Sequence, residues 1–238
     1  RRRLIQENPF AEVSHKAGDS TDRQRFITRE ETDRLIEAAP DWGWRCIIAL
    51  ARYGGLRCPS EVLSLRWEDV DWQAGRMRVT SPKTEHHAGK GSRVVPLFPE
   101  LRSHLADALE MAAEGQQHVI PEDRFLKASQ GPQGWRNANL RTQFGRIIRR
   151  AAMEPWPRLF HNLRASRETE LAAEHPVHVV TAWIGNTPRI AMKHYLQTTE
   201  ADFARATQPV GEAVQNPVQL SDNPVHFPVQ PTCAEPRR

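Results

Sequence analysis

A single interruption in an otherwise helical pattern restricts the fold of this chain more than any other feature. Apolar residues recur at helical spacing from Thr28 to Leu65 and again from Pro99 to residue 206, whereas residues 71–97 hold short alternating runs bounded by turn residues. Thr28-Arg29-Glu30-Glu31 is a capping box that opens a helix carrying Leu35 and Ile36, and Pro40 stops it. Trp42 to Tyr53 forms a second helix, ended by Gly54-Gly55, and Pro59 suits the first turn of a third helix running to Leu65. Asp71-Trp72, Arg76–Val79 and Arg93–Leu97 read as strands, joined by a Gln73-Ala74-Gly75 turn and by a long polar loop, Ser81 to Ser92. Further helices are expected over 99–113, 137–152, 162–174, 177–184, 188–197 and 200–206. The fold class is therefore mainly α (α+β): a helical domain with a small antiparallel β-sheet or hairpin insert.

Flanking segments differ in texture. Residues 1–25 read as a polar linker, and because Arg1–Arg3 lead into no apolar segment, no signal peptide is read there. Residues 26–207 form the expected domain, with 208–238 as a tail holding six prolines and four Pro-Val pairs. That tail lacks the bulk and periodicity to fold alone and is expected to be disordered or docked on another chain. Its charge is −1, which leaves +5 on residues 1–207 out of a net +4 for the 238-residue chain. A mild positive balance suits a polyanionic partner without identifying one. Hydrophobic residues are 39% of the chain, and no apolar run approaches the roughly 20 residues of a membrane helix, so no membrane partner is expected. Cys46, Cys58 and Cys233 are odd in number and form no metal-ligand spacing, pointing to an intracellular chain without disulfides or structural zinc.

The chemistry-bearing residues are scattered cations and one late tyrosine. Gly54-Gly55-Leu56-Arg57-Cys58-Pro59-Ser60-Glu61 places Arg57 in an interhelical turn, and Lys83 stands in Ser81-Pro82-Lys83-Thr84 at the start of the long loop. His161-Asn162-Leu163-Arg164 puts His161 and Arg164 on one helix face. Trp183-Ile184-Gly185-Asn186-Thr187 closes a helix, and Tyr195 follows nine residues after Asn186. Each has an ordinary reading beside the chemical one: ion pairs of Arg57 and Arg164 with Glu61 or Glu168, a packed core histidine, a half-buried tyrosine. His86-His87 and His175-Pro-Val-His178 are read as solvated residues and not as a metal site, and the tryptophans as packing.

In this order the residues resemble the tyrosine recombinases, the phage-integrase family. Its signature is an Arg after Gly-Leu with Ser-Glu following, a Lys on a β-hairpin, His-x-x-Arg, then Leu-Gly-His, with a nucleophilic Tyr nine residues beyond that His. The resemblance spans Phe26 to Arg205. It implies site-specific cleavage and rejoining of double-stranded DNA through a 3′-phosphotyrosine at Tyr195, without metal, ATP or other cofactor. Arg57 and Arg164 would clamp the phosphate, Lys83 would protonate the leaving 5′ oxygen, and His161 would accept or donate a proton. Lys90 competes with Lys83 in the same loop, although Lys83-Thr84 matches the family's Lys-Thr dipeptide. Asn186 stands where the family usually has His, and sometimes Trp; it can donate a hydrogen bond to a nonbridging oxygen but cannot carry charge or shuttle a proton, which implies reduced or more slowly matured activity. The resemblance further implies a missing N-terminal core-binding domain ahead of the linker, a tetramer on two duplexes, docking of Thr199–Arg205 or the tail on a neighbouring protomer, and a cytoplasmic, nucleoid-associated location on behalf of a mobile element. Type IB topoisomerase activity and a DNA-binding protein of this fold with impaired catalysis are the alternatives.

The chemistry agrees with that pattern. A tyrosine of ordinary pKa near 10 is only about 0.1% phenolate at neutral pH, so neighbouring cations would assist it. Arginine binds planar pairs of phosphate oxygens bidentately and never deprotonates. Arg141, Arg146, Arg149 and Arg150 lie on and around one expected helix, as a solvated face or as contacts to the DNA backbone.

Overall fold

The computed structural model describes residues 23–81, 91–121, 134 and 138–207. The chain divides into two units, Arg1–Thr199 and Glu200–Arg238. In the first, α1 (Arg29–Glu37) opens on the expected capping box: Thr28 Oγ1 accepts from Glu31 N at 3.2 Å, and the Glu31 carboxylate accepts from Thr28 N at 3.0 Å. Asp41 caps α2 (Trp42–Arg52) by accepting from Trp44 N at 3.0 Å. From Cys46 to Arg52 every residue of α2 is buried, which makes it the central helix, packed on α1, on α4 (Pro99–Glu110) and on α6 (Leu159–Glu174). Arg52 is tolerated there because its guanidinium donates twice to the Ile27 carbonyl, at 3.1 and 2.9 Å, and pairs with Glu170. A buried cation needs that degree of pairing.

Gly54 and Gly55 end α2 for steric reasons. Gly55 has φ +64°, and a Cβ there would lie 2.5 Å from Ile184 Cδ1. The chain thus reverses closely enough, ahead of α3 (Ser60–Ser64), to bring Arg57 against the end of α7 (Val177–Ile184). Pro59 sits at the N-cap of α3, one position earlier than its expected place in the first turn.

The inserted sheet is antiparallel, in the order β1 (Val70–Asp71), β2 (Arg76–Thr80), β3 (Ser92–Pro96). Met77 pairs with Val95 and Val79 with Arg93. Met77, Val79 and Val95 are buried while Arg76, Arg78 and Thr80 face solvent, as period-two alternation requires. Asp71 Oδ1 closes the first turn, accepting from Gln73 N and Ala74 N at 3.1 and 2.8 Å. The residues joining β2 to β3, including Lys83, Lys90, His86 and His87, lie outside the described residues, as do the N-terminal linker up to residue 22 and the tail.

The remaining helices of this unit are α5 (Arg141–Arg150) and α8 (Pro188–His194). Phe144, Ile147 and Ile148 bury one face of α5 and leave Arg141, Arg146, Arg149 and Arg150 exposed on the other. Several expected boundaries shift, among them the end of α4, which lies at Glu110 instead of 113. Helix α5 occupies only the inner part of 137–152, and α6 starts three residues earlier than expected, after Arg158 turns the chain at φ +54°. Helix α8 stops before Tyr195 instead of running to 197, because Thr169 on α6 claims the backbone beyond it. The Thr169 hydroxyl donates to the Tyr195 carbonyl at 3.2 Å and accepts from Gln197 N at 3.3 Å. The second unit contains α9 (Glu200–Thr207), with acids in its first turn and Arg205 in its last. Among the described residues no helix is long and apolar enough to cross a membrane.

Leu101 on α4 is fully buried and packs on Gly54. Leu101→Ala is expected to lower unfolding stability by about 2–5 kcal/mol. Urea denaturation should show this as a lower midpoint at unchanged slope.

Candidate active site

A helix C-terminus leaves its last carbonyls without intrahelical donors and concentrates partial negative charge there. At the end of α7 three successive carbonyls each receive one arginine. Arg93 Nε donates to Trp183 O at 2.7 Å, Arg164 Nη2 to Ile184 O at 2.7 Å, and Arg57 Nη2 to Gly185 O. The three arginines come from β3, from α6 and from the α2–α3 turn. Gly185 permits this convergence, since it has φ +80° and a Cβ on it would lie 2.8 Å from Arg93 Cδ.

Glu61 ties the same arginines together from the other side. Its fully buried carboxylate accepts from Arg93 Nη1 and Nη2, both at 2.8 Å, from Ser81 Oγ at 2.8 Å, and from Arg57 through both Nη1 and the backbone N–H. Arg164 Nη1 lies 3.7 Å from it. Burial alone would raise the Glu61 pKa, but the hydrogen bonds and charge of Arg93, with the charges of Arg164 and Arg57, hold it far below the usual carboxylate range. Arg164 also donates to Gly55 O at 2.7 Å, while its Nε is buried with no hydrogen-bond partner among the described residues. Burial first, and then the charge of Arg57, pulls the Arg164 pKa down to about 10, which still leaves it protonated at neutral pH.

His161 and Arg164, three apart on α6, reach one cavity of about 300 Å³ that is also lined by Arg57, Cys58 and Tyr195. The Tyr195 ring lies 4.5 Å from the His161 ring and 5.6 Å from the Arg164 guanidinium carbon. His161 Nε2 is 3.4 Å from the His194 carbonyl, which can only accept, so this contact leaves Nδ1 as the acceptor nitrogen. Burial lowers the His161 pKa against the opposing hydrogen bond to the His194 carbonyl, and the charges of Arg158 and Arg164 add to the lowering, so the neutral imidazole is favoured. Burial pushes the Cys58 thiol well up, so it lines the cavity as a thiol and not as a thiolate.

Asn186 is not among the residues lining the cavity. Its Nδ2 donates to both oxygens of Glu168, at 2.8 and 3.1 Å, and its Oδ1 is buried without a partner among the described residues. Arg141 and Arg149 line a second cavity of about 550 Å³ beside Trp156, whereas Arg146 and Arg150 do not. Arg150 donates to Ala38 O at 3.1 Å. The other tyrosine, Tyr53, is buried, and its hydroxyl donates to Asp33 at 3.3 Å.

Motif reading left Arg93 out of the site. The signal was present in its register, because Arg93 shares a strand face with buried Val95, where an arginine needs a buried partner. Glu168 continues the helix face of His161 and Arg164, at i+7 and i+4, but only the fold brings it to Asn186.

The stabilisation that Glu61 supplies is present at neutral pH and is lost as pH falls below the ordinary carboxylate value toward its depressed folded value. Glu61→Gln leaves buried guanidinium charge unpaired and is expected to cost about 3–5 kcal/mol at neutral pH. Thermal denaturation across pH should show the gap to wild type shrinking under acid.

The sequence profile of the Phage integrase family matches residues 25–201. A curated relative, "Putative defective protein IntQ" of Escherichia coli (strain K12), is 30% identical over 125 residues, covering 49% of this chain and 30% of that protein. In three dimensions the chain is similar to XerA recombinase, with TM-score 0.61, 19% identity, and coverage of 76% of this chain and 63% of that one. It is also similar to a lambda integrase dimer bound to a COC′ core site, with TM-score 0.55, 18% identity, and coverage of 80% and 52%. The chain thus spans less than two thirds of these relatives. The mainly helical fold with its three-stranded antiparallel sheet is that of these proteins, and with its profile matched from residue 25 to residue 201 the chain belongs to the phage integrase family of tyrosine recombinases.

Proposed function

We propose that this chain is the catalytic part of a site-specific DNA recombinase, in which Tyr195 attacks a backbone phosphate of duplex DNA. The observation that carries this reading is one small cavity walled by Tyr195, His161, Arg57 and Arg164. The Tyr195 oxygen bonds to phosphorus as the bond to the 5′ oxygen breaks, leaving a 3′-phosphotyrosine and a free 5′ hydroxyl. Bond energy is kept in the covalent intermediate, and rejoining reverses the step without ATP. His161 Nδ1 accepts the tyrosine proton, for which a neutral imidazole is required. Arg57 and the unpartnered Nε–H of Arg164 offer charged donors to the nonbridging oxygens. Lys83, from the β2–β3 connection, protonates the leaving oxygen, with Lys90 as its competitor in the same connection.

Assembly follows the same reading. A lambda integrase tetramer has been solved on a Holliday junction. By that likeness four copies of the present protein act on two duplexes, with Thr199–Arg205 or the tail docked in trans. Arg141 and Arg149 contact backbone phosphates, as do Arg146, Arg150 and Lys90. The protein is then cytoplasmic and nucleoid-associated.

A second reading, a DNA-binding protein of this fold with impaired catalysis, is favoured by two observations. The Asn186 amide is committed to Glu168, and the IntQ relative is named as defective. A nicked suicide duplex carrying the cognate site separates the two. Wild type is expected to give a covalent DNA adduct after SDS quenching, and Tyr195→Phe none. A surviving adduct in Tyr195→Phe would overturn the nucleophile assignment, and DNA binding without any wild-type adduct would favour the impaired binder. Arg57→Ala is expected to slow single-turnover cleavage by about 10²–10³-fold, as loss of one charge-stabilising donor does.

A further inference from the structure

The Glu168–Asn186 pair is a buried polar contact, next in sequence to Gly185, that the recombinase reading leaves unused. Glu168 is fully buried, and both its oxygens accept from the single Asn186 Nδ2, at 2.8 and 3.1 Å. Asn186 Oδ1 is buried and unpartnered, an arrangement that is costly unless another state of the site uses it. Asn186 directly follows Gly185, whose carbonyl holds Arg57, so the amide is one residue from a phosphate-facing arginine. The buried Oδ1 is an acceptor, the wrong sign for an anionic ligand, and in this arrangement Asn186 does not line the cavity.

We propose that Glu168 is a positioning residue for Asn186, and that proton uptake on its carboxyl group turns the amide so that Nδ2 donates to the DNA phosphate where the family has histidine. This rests on the recombinase reading. A protonated Glu168 donates through its O–H to Asn186 Oδ1, and the amide then turns Nδ2 toward the arriving oxygen. The only bond that forms is the carboxyl O–H, and its proton comes from solvent. The charged groups facing Glu168 are Arg164 on its own helix and Arg57 from the α2–α3 turn, with Glu61 and Arg93 behind them in the same cluster. Both arginines favour the ionised carboxylate. Burial outweighs them and, against the smaller effects of the Asn186 hydrogen bond and the two charges, raises the Glu168 pKa. A phosphate anion engaged by those arginines offsets their pull and favours the proton further.

The test compares single-turnover adduct formation on a nicked suicide duplex by wild type and Glu168→Gln from mildly acidic to mildly alkaline pH. His161 titrates in both and cancels in their ratio. The wild-type to E168Q ratio is expected to rise about tenfold toward acid, comparable to the lower end of what loss of a partner that orients a metal ligand costs. The Asn186 side-chain amide ¹⁵N resonance of the wild-type chain is expected to titrate together with the Glu168 carboxyl ¹³C resonance. A wild-type adduct with a pH-independent ratio, or an amide resonance that ignores the carboxyl titration, overturns the positioning role and leaves the recombinase reading standing. Absence of any wild-type adduct removes both.

Discussion

The arrangement of the candidate site depends on the carbonyls at the end of α7 that lack intrahelical donors. Trp183, Ile184 and Gly185 each present an oxygen that the helix cannot satisfy, and each is answered by a guanidinium from a different part of the chain. The constraint is geometric, since it requires the αL turn at Gly185, where no Cβ obstructs Arg93. It is also electrostatic, since a helix C-terminus is where cations are stabilised. Moving this helix end would misplace Arg57, Arg93 and Arg164 together. The three arginines are thus a single structural unit, and Glu61 is the anion that makes their mutual approach tolerable.

The arithmetic of charge in this cluster explains its bias toward an anion. Three guanidinium groups surround one carboxylate, and the half-charge of a helix terminus does not close the difference. Burying uncompensated charge is costly, so an arrangement of this kind persists where a ligand completes it. The chain's formal net charge of +4 says little about this. On the proposed reading, affinity for a reacting phosphate would reside in a few converging side chains, and the exposed arginines of α5 would make the salt-sensitive contacts that position a duplex.

Local rules made much of the fold legible from sequence. The Thr28 capping box, the glycine stop after α2 and the alternation of β2 are short-range signals, and each element formed where its signal lay. Boundaries went astray where a distant residue decided them: Tyr195 leaves its helix because Thr169 holds its carbonyl, which no pattern within residues 188–197 encodes. The candidate site divides in the same way. Arg57, His161, Arg164 and Tyr195 were found through motif order, and the cavity brings them together. Arg93 and the pairing of Glu168 with Asn186 escaped, because each acquires meaning only from a partner many residues away.

That last pair bears on why an amide can stand at position 186 at all. An imidazolium there would add a fourth positive charge to a cluster already short of anions. With asparagine, the added group is neutral and its hydrogen-bond acceptor Glu168 is acidic, so the wider cluster holds three arginines against two glutamates when both are ionised. Glu61, gripped by Arg93, keeps its charge across the whole physiological range, whereas burial favours the neutral form of Glu168. The two carboxylates therefore do different things with the same surroundings. Glu61 fixes the arginines permanently, and Glu168 leaves the positive excess of the site adjustable by one proton, a degree of freedom that a histidine supplies on its own ring and that here is divided between two side chains.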